Sequence, residues 1–168
     1  MATSPLTPAG ELAERAVHRL IGYQVAQASV CTLAVFEREV GQPLGLKPAE
    51  YTLLALVRDN PGVSPSRLAQ ALALPAPTVT LFADRLQARG WLQRERSDVD
   101  RRAQQLRLSP EGEAACQDAT HRLLAGERQA LSALTEGERL LLAELLHKVA
   151  RTGRSGGGTT SSRGSAAA

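Results

Sequence analysis

The sequence predicts a mainly α-helical protein with one small antiparallel β hairpin, and three observations carry that expectation. Apolar residues recur at steps of three and four over residues 10–40 and again over residues 109–150. Between these blocks, Ser64-Pro65 and Leu74-Pro75-Ala76-Pro77 punctuate the chain as the starts of two short helices. After Gly90 the apolar period drops to two, the spacing of a strand.

In chain order, the first helix is expected from about Gly10 to Val40, repeating through Leu12, Ala16, Leu20, Tyr23, Gln27, Val30 and Ala34, with Gly41-Gln42-Pro43 ending it. Some 30 residues would span roughly 45 Å at 1.5 Å per residue, more than a small domain uses, so this helix is expected to pack on another subunit. A second helix should begin at Lys47, where Pro48 suits the first turn and Glu50 faces the positive end of the helix dipole, and run through Tyr51 to Arg58. Ser64 then caps a short helix, Ser66 to Leu72. The next runs from Pro75 or Ala76 to Arg89, with Gly90 as a left-handed exit. Trp91 to Arg96 and Gln105 to Leu108 alternate as the two strands of the hairpin, around a charged tip, Ser97 to Arg102. Ser109, Pro110 and the acids Glu111 and Glu113 open a helix continuing to about Leu134. Thr135 to Glu138 opens the last one. Its Leu140, Leu141, Leu142, Leu145 and Leu146 exceed what a single apolar stripe of a small monomer can bury, which again points to a partner surface.

Composition bounds the rest. Hydrophobic residues at 43% against 22% charged exclude a largely disordered chain. One domain, residues 10–151, is expected between a flexible N-terminus (1–9) and a Gly/Ser/Thr/Arg/Ala tail (152–168). No apolar run reaches the roughly 18 residues of a membrane span, and Met1 is not followed by a basic and then apolar stretch, so a soluble, cytoplasmic protein without membrane contact is expected. Cys31 and Cys116 stand in no metal-like spacing and are expected to be reduced, buried and small, with redox sensing by Cys31 the minor alternative. His18, His121 and His147 fall in three separate segments, so no metal site is predicted, and no cofactor. No nucleophile motif or paired carboxylates occur, so no catalytic residue is assigned.

Charge placement tells more than net charge. From Ser64 to Leu108 there are eight arginines against four acids, while the remainder of the chain is nearly balanced. A basic middle flanked by neutral helices is the footprint of a polyanion. Two short helices joined by a tight turn, then a basic hairpin, form an arrangement that lays one helix in a major groove with the hairpin beside it. Val79, Phe82, Ala83 and Leu86 should face the core, leaving Pro77, Thr78, Thr80, Leu81 and Arg85 outward. Threonine hydroxyls and methyls, with Pro77 and Leu81, suit base edges and the thymine methyl. At the hairpin tip, Asp100 beside Arg101 and Arg102 is expected to fix a guanidinium for a narrow minor groove. Ser66 and Arg96 complete the expected DNA-contacting set.

These residues resemble the MarR family of winged helix-turn-helix regulators over roughly Leu44 to Gly112. The resemblance is carried by Leu68-Ala69-Gln70-Ala71-Leu72, by Thr78-Val79-Thr80 with Asp84-Arg85-Leu86 and Arg89-Gly90, and by Asp100-Arg101-Arg102-Ala103 with Leu106-Arg107-Leu108-Ser109 and Gly112. It implies a winged helix-turn-helix (46–108) and a helical dimerisation region (10–45 and 109–151) in an obligate homodimer. It further implies a sequence-specific regulator of double-stranded DNA, a repressor on a pseudo-palindromic operator, released when a small aromatic acid, a metal or an oxidant reaches the seam between dimer and DNA-binding parts, with the choice among the three open. By position, Pro77, Thr78 and Leu81 match the family's base contacts and Asp100, Arg101 and Arg102 its wing. Leu81 departs from the arginine often found there. His18, Tyr23 and Tyr51 belong to the segments flanking the family's ligand cleft and are the candidate effector pocket, although core packing explains the tyrosines equally well. Two alternatives stay open at this point: a winged-helix protein-interaction module that binds an acidic partner, and a small hydrolase or redox enzyme on a helical dimer.

Overall fold

A computed structural model describes residues 5–96 and 104–155, in the order α1 (Ile21–Phe36), a π-helical segment (Glu37–Gly41), α2 (Gln42–Leu44), α3 (Pro48–Asp59), α4 (Pro65–Leu72), α5 (Ala76–Ala88), β1 (Leu92–Arg96), β2 (Gln104–Leu108), α6 (Pro110–Ala130) and α7 (Glu136–Ser155). It is mainly helical with one two-stranded antiparallel sheet, as the periodicities predict. The described chain forms two compact units, Met1–Ala130 and Leu131–Ala168.

The first helix differs from expectation at both ends. It starts at Ile21, because residues 5–20 fold as turns: Glu14 N–H donates to Pro5 O at 3.0 Å, and Leu6 bridges Ala13. At the other end the chain stays helical past Gly41-Gln42-Pro43. Pro43 has no N–H to give, and just before it the ladder slips by one residue, with Gln42 N–H donating to Glu37 O, so the proline is absorbed in a widened turn. The real exit is Gly45, at φ 60, a left-handed conformation in which a side chain would be strained.

Local chemistry fixes the middle helices where the sequence puts them. Lys47 N–H donates to Glu50 Oε2 at 3.0 Å, closing the first turn of α3. Ser64 accepts from Arg67 N–H at 3.4 Å at the start of α4. Pro75 and Pro77 sit at the start of α5, which Gly90 follows at φ 73.

The core of the first unit is assembled from each of these elements. Leu53, Leu54 and Val57 of α3, Leu68 of α4, Val79, Ala83 and Leu86 of α5, Leu92 and Leu106 of the hairpin and Cys116 of α6 are all buried. Each large side chain in that set contributes roughly 1.5–3 kcal/mol by leaving water. The hairpin pairs Leu92 with Leu108 through Arg96 with Gln104, and β2 also bridges Val63, with Leu106 N–H donating to Val63 O at 3.0 Å.

The junction of hairpin and α6 is the tightest point. Ser109 is buried; its hydroxyl donates to Gly90 O at 2.6 Å and accepts from Gly112 N–H at 3.0 Å, while its N–H donates to Trp91 O at 3.1 Å. A Cβ on Gly112 would stand 1.9 Å from Trp91 O, so only glycine lets α6 approach the hairpin this closely.

In the second unit, α7 runs through Arg151 to Ser155, so the expected tail boundary at 152 moves outward by four residues. None of its residues with described side chains is buried: Leu140, Leu141, Leu145 and Leu146 are all at least 41% exposed. Among the described residues, no helix is long and apolar enough to cross a membrane.

Candidate nucleic-acid interface

Helix α5 is half committed to the core and half open. Val79, Ala83 and Leu86 have no exposed surface, and Phe82 packs partly against them, as the helical spacing predicts. On the opposite edge Pro77 and Thr80 are exposed, Leu81 is 48% exposed and Thr78 is half-buried. Those four lie on the first two turns, a convex edge of hydroxyls, methyls and a leucine with little charge. Thr80 Oγ1 donates to Ala76 O at 3.1 Å, which leaves its lone pairs free to accept. Ser66 is exposed on α4, its hydroxyl 3.0 Å from that of Ser64.

Arg85 is exposed, and it also has a partner that the sequence did not reveal. Its Nη1 lies 3.0 Å from Glu50 Oε1, and that carboxylate belongs to a residue only 5% exposed. The guanidinium itself remains about half open, with its side chain 47% exposed. Glu50 therefore does two jobs, closing the turn at Lys47 with one oxygen and holding α5 against α3 with the other. Sequence reasoning saw only the first, because an acid in a first helical turn is sufficiently explained by the dipole.

The partners of three further arginines were missed. Arg94 on β1 forms an ion pair through Nη2 with Asp84 Oδ1 of α5, and the same nitrogen lies 3.5 Å from Thr80 O. The alternation of β1 placed Arg94 on the Leu92 face, but no local pattern reports a partner ten residues back. Arg89 lies over the Trp91 ring, 3.6 Å from its centroid, at the end of the same helix. Arg107 pairs with Glu95 across the hairpin at 2.8 Å.

Of the expected wing contacts, Arg96 ends β1 and only its backbone is described; Asp100, Arg101 and Arg102 lie outside the described residues.

Of the three candidate pocket residues, His18 and Tyr23 meet at one carboxylate and Tyr51 has other partners. His18 Nδ1 and Tyr23 Oη each lie 2.7 Å from Glu14, one on each carboxylate oxygen, and Glu14 is 7% exposed. Both contacts hold the Glu14 carboxyl below its ordinary value, the tyrosine bond more strongly, and the same bond raises the Tyr23 phenol. Tyr51 instead meets Thr120 Oγ1 at 3.0 Å and packs against Phe36 at the far end of α1, 6.1 Å between ring centroids. Phe36 is thirteen residues beyond Tyr23, roughly 20 Å along a helix at 1.5 Å per residue. A cleft of about 350 Å3 does open beside Gly45, Lys47, Glu50 and Arg89, and none of the three lines it. The cysteines also part company. Cys116 is buried, and burial pushes its thiol pKa up, whereas Cys31 is exposed on α1, contrary to expectation, because α1 buries only Val35 and Phe36.

Comparison with known proteins agrees with this geometry. A model described as the MarR family matches residues 44–103, from α2 to the hairpin. The chain is 32% identical over 111 residues to the HTH-type transcriptional repressor MdtR of Bacillus subtilis (strain 168), covering 64% of this chain and 69% of that protein. It is 34% identical over 107 residues to the HTH-type transcriptional regulator PecS of Dickeya dadantii (strain 3937), covering 62% and 64%. A solved structure of the transcriptional repressor CouR bound to a 23-mer DNA duplex superposes with a TM-score of 0.75 at 28% identity, over 83% of this chain and 99% of that one. With an open-edged helix beside a two-stranded hairpin and relatives that are transcription regulators, the chain belongs to the MarR family of winged-helix transcription regulators and is not an enzyme.

Proposed function

We propose that the protein represses transcription by binding a pseudo-palindromic operator as a homodimer. In this reading α5 of each protomer enters a major groove, the two grooves about one helical turn, roughly 34 Å, apart. The observation that carries it is the divided surface of α5: one face fully buried, the other presenting Pro77, Thr78, Thr80 and Leu81 beside the hairpin. Base readout then rests on threonine hydroxyls and on methyl contact rather than on a row of guanidiniums. Ser66 and Arg96 take phosphate contacts, Arg101 and Arg102 the minor groove with Asp100 orienting them, and Arg85 supplies the free part of its charge at the groove edge. The likeness to CouR, a repressor bound to a duplex, supports the reading. The apolar face of α7 supports the second copy. Release by a small-molecule effector belongs to the reading on the family resemblance alone.

Selection from a random duplex pool should enrich an inverted repeat. Replacing Arg102 with Ala should weaken binding to it about 10-fold or more, whereas Arg139→Ala, whose guanidinium serves Leu134 O and Glu136 at the start of α7, should leave it unchanged. Equal losses in a titration would remove the hairpin from the interface. Absence of any enriched sequence would favour a protein-binding module.

A further inference from the structure

We propose that Asp84 and Arg94 form a strut that sets the angle between α5 and the hairpin, making them positioning residues for operator discrimination; this rests on the reading of α5 as the helix that enters the groove. Arg94 reaches back from β1 and engages α5 at two points one turn apart, the backbone carbonyl of Thr80 and the carboxylate of Asp84. Its side chain is 25% exposed against 53% for Asp84, so the guanidinium is drawn out of solvent against the helix. Its Nε is buried with no acceptor among the described residues, so losing Asp84 would leave a poorly compensated cation in that seam.

On the other flank the next residue, Arg85, is tied to Glu50 of α3. Consecutive side chains thus fasten α5 to two different elements. A helix held on both flanks cannot roll about its axis, and rolling is what would move Thr80 and Leu81 off a base edge, since one residue spans about 100° of the helix. Contacts to base edges need fixed placement; attraction to phosphate does not. The strut therefore acts on the ratio between right and wrong sequences and leaves general affinity alone.

The competing role for Arg94 is a phosphate contact, and the two roles predict opposite outcomes. For a phosphate contact, Asp84 is only a repulsive charge near the duplex, so removing it tightens binding to every sequence. For a strut, removing it loosens α5 and costs discrimination. Likewise a lysine at 94 keeps the charge that a phosphate needs but is a point cation, without the planar fork that spans Asp84 and Thr80 O.

The test uses the full chain. Wild-type protein first enriches its preferred duplex, and D84N, R94K and the double variant are then titrated against that duplex and a scrambled one of equal length over a range of salt. Each single variant is expected to lose about 10-fold on the preferred duplex and less than about twofold on the scrambled one. The salt slope should stay as in wild type, and the double variant should be no worse than the weaker single. Melting temperatures close to wild type separate these losses from unfolding. Tighter binding of D84N to both duplexes, or multiplying losses in the double variant, overturns the strut. Unchanged discrimination in both single variants overturns it too, with the reading of α5 intact. A wild-type chain that enriches no sequence overturns that reading and the strut with it.

Discussion

The two units of this chain differ in whether any of their leucines reach a closed core. In the first, Leu53, Leu54, Leu68, Leu86, Leu92 and Leu106 are at most 1% exposed, in one core shared by α1, the π-helical segment, α3 to α6 and both strands. In the second, Leu140, Leu141, Leu142, Leu145, Leu146 and Val149 of α7 are 41–65% exposed. The first unit is closed only in part, since its Leu12, Leu20, Leu33, Leu81 and Leu124 are 48–69% exposed, whereas α7 buries none of its leucines. A contiguous apolar face of that extent on an isolated protomer marks an interaction surface, whereas a closed core marks a part that folds for itself. The first unit thus has a closed core of its own beneath an open α1, and the proposed second copy is the partner that α7 lacks.

Breaking the open side should have the largest effect. Leu145→Glu removes a leucine that the proposed interface would cover, worth roughly 1.5–3 kcal/mol, twice in a twofold interface, so association should weaken at least about 100-fold. Sedimentation should then show single protomers with helical content intact. An unchanged dimer would take α7 out of the interface and undo the contrast. The closed side should answer to Gly112→Ala, which sets a methyl group against Trp91 O and forces the start of α6 away from the hairpin. A loss of about 1–3 kcal/mol is expected, read as a drop in Tm of about 5–10 °C. A neutral Gly112→Ala would mean that the junction of hairpin and α6 yields more easily than its geometry indicates.

The smallest effect sharpens the comparison at a third place, the N-terminal arm, which is held by polar contacts and little apolar burial. Glu14 is ionised more readily in the fold than in the unfolded chain, so its contribution is present above the ordinary carboxylate range, about 4.3, and is lost as pH falls through the lower, folded value. Tyr23 is shifted the other way, so its contribution is present below the ordinary phenol range and fades as pH rises through the raised value. Hydrogen exchange of residues 5–20 should quicken in acid before that of α3 does, and Glu14→Gln should abolish the acid-dependent part. Simultaneous loosening of arm and core would show that the arm is no separate latch.

What was legible in the residues was everything set within a few positions along the chain. Ser64-Pro65 fixed the start of α4, Pro75 and Pro77 the start of α5, Gly90 its exit, and the alternation after it the hairpin, because caps, prolines and periodicity act over one or two turns. The same local logic misjudged Gly10 to Leu20. An apolar repeat at helical spacing is necessary for a helix and not sufficient, and here Glu14 finds Pro5, His18 and Tyr23 in a turn. It misjudged Pro43 for a related reason, since a slip of the ladder by one residue admits a proline that a regular helix would reject.

Sequence alone therefore determined which side chains are apolar, where α3, α4 and α5 begin and which face of α5 is left exposed. Tertiary structure decided how that face is aimed. Glu50 and Arg85 are 35 residues apart in the chain and Asp84 and Arg94 ten, and no periodicity encodes which charge will meet which. An ion pair between elements depends on the packing that brings them within about 4 Å, and that packing is settled by the whole core at once.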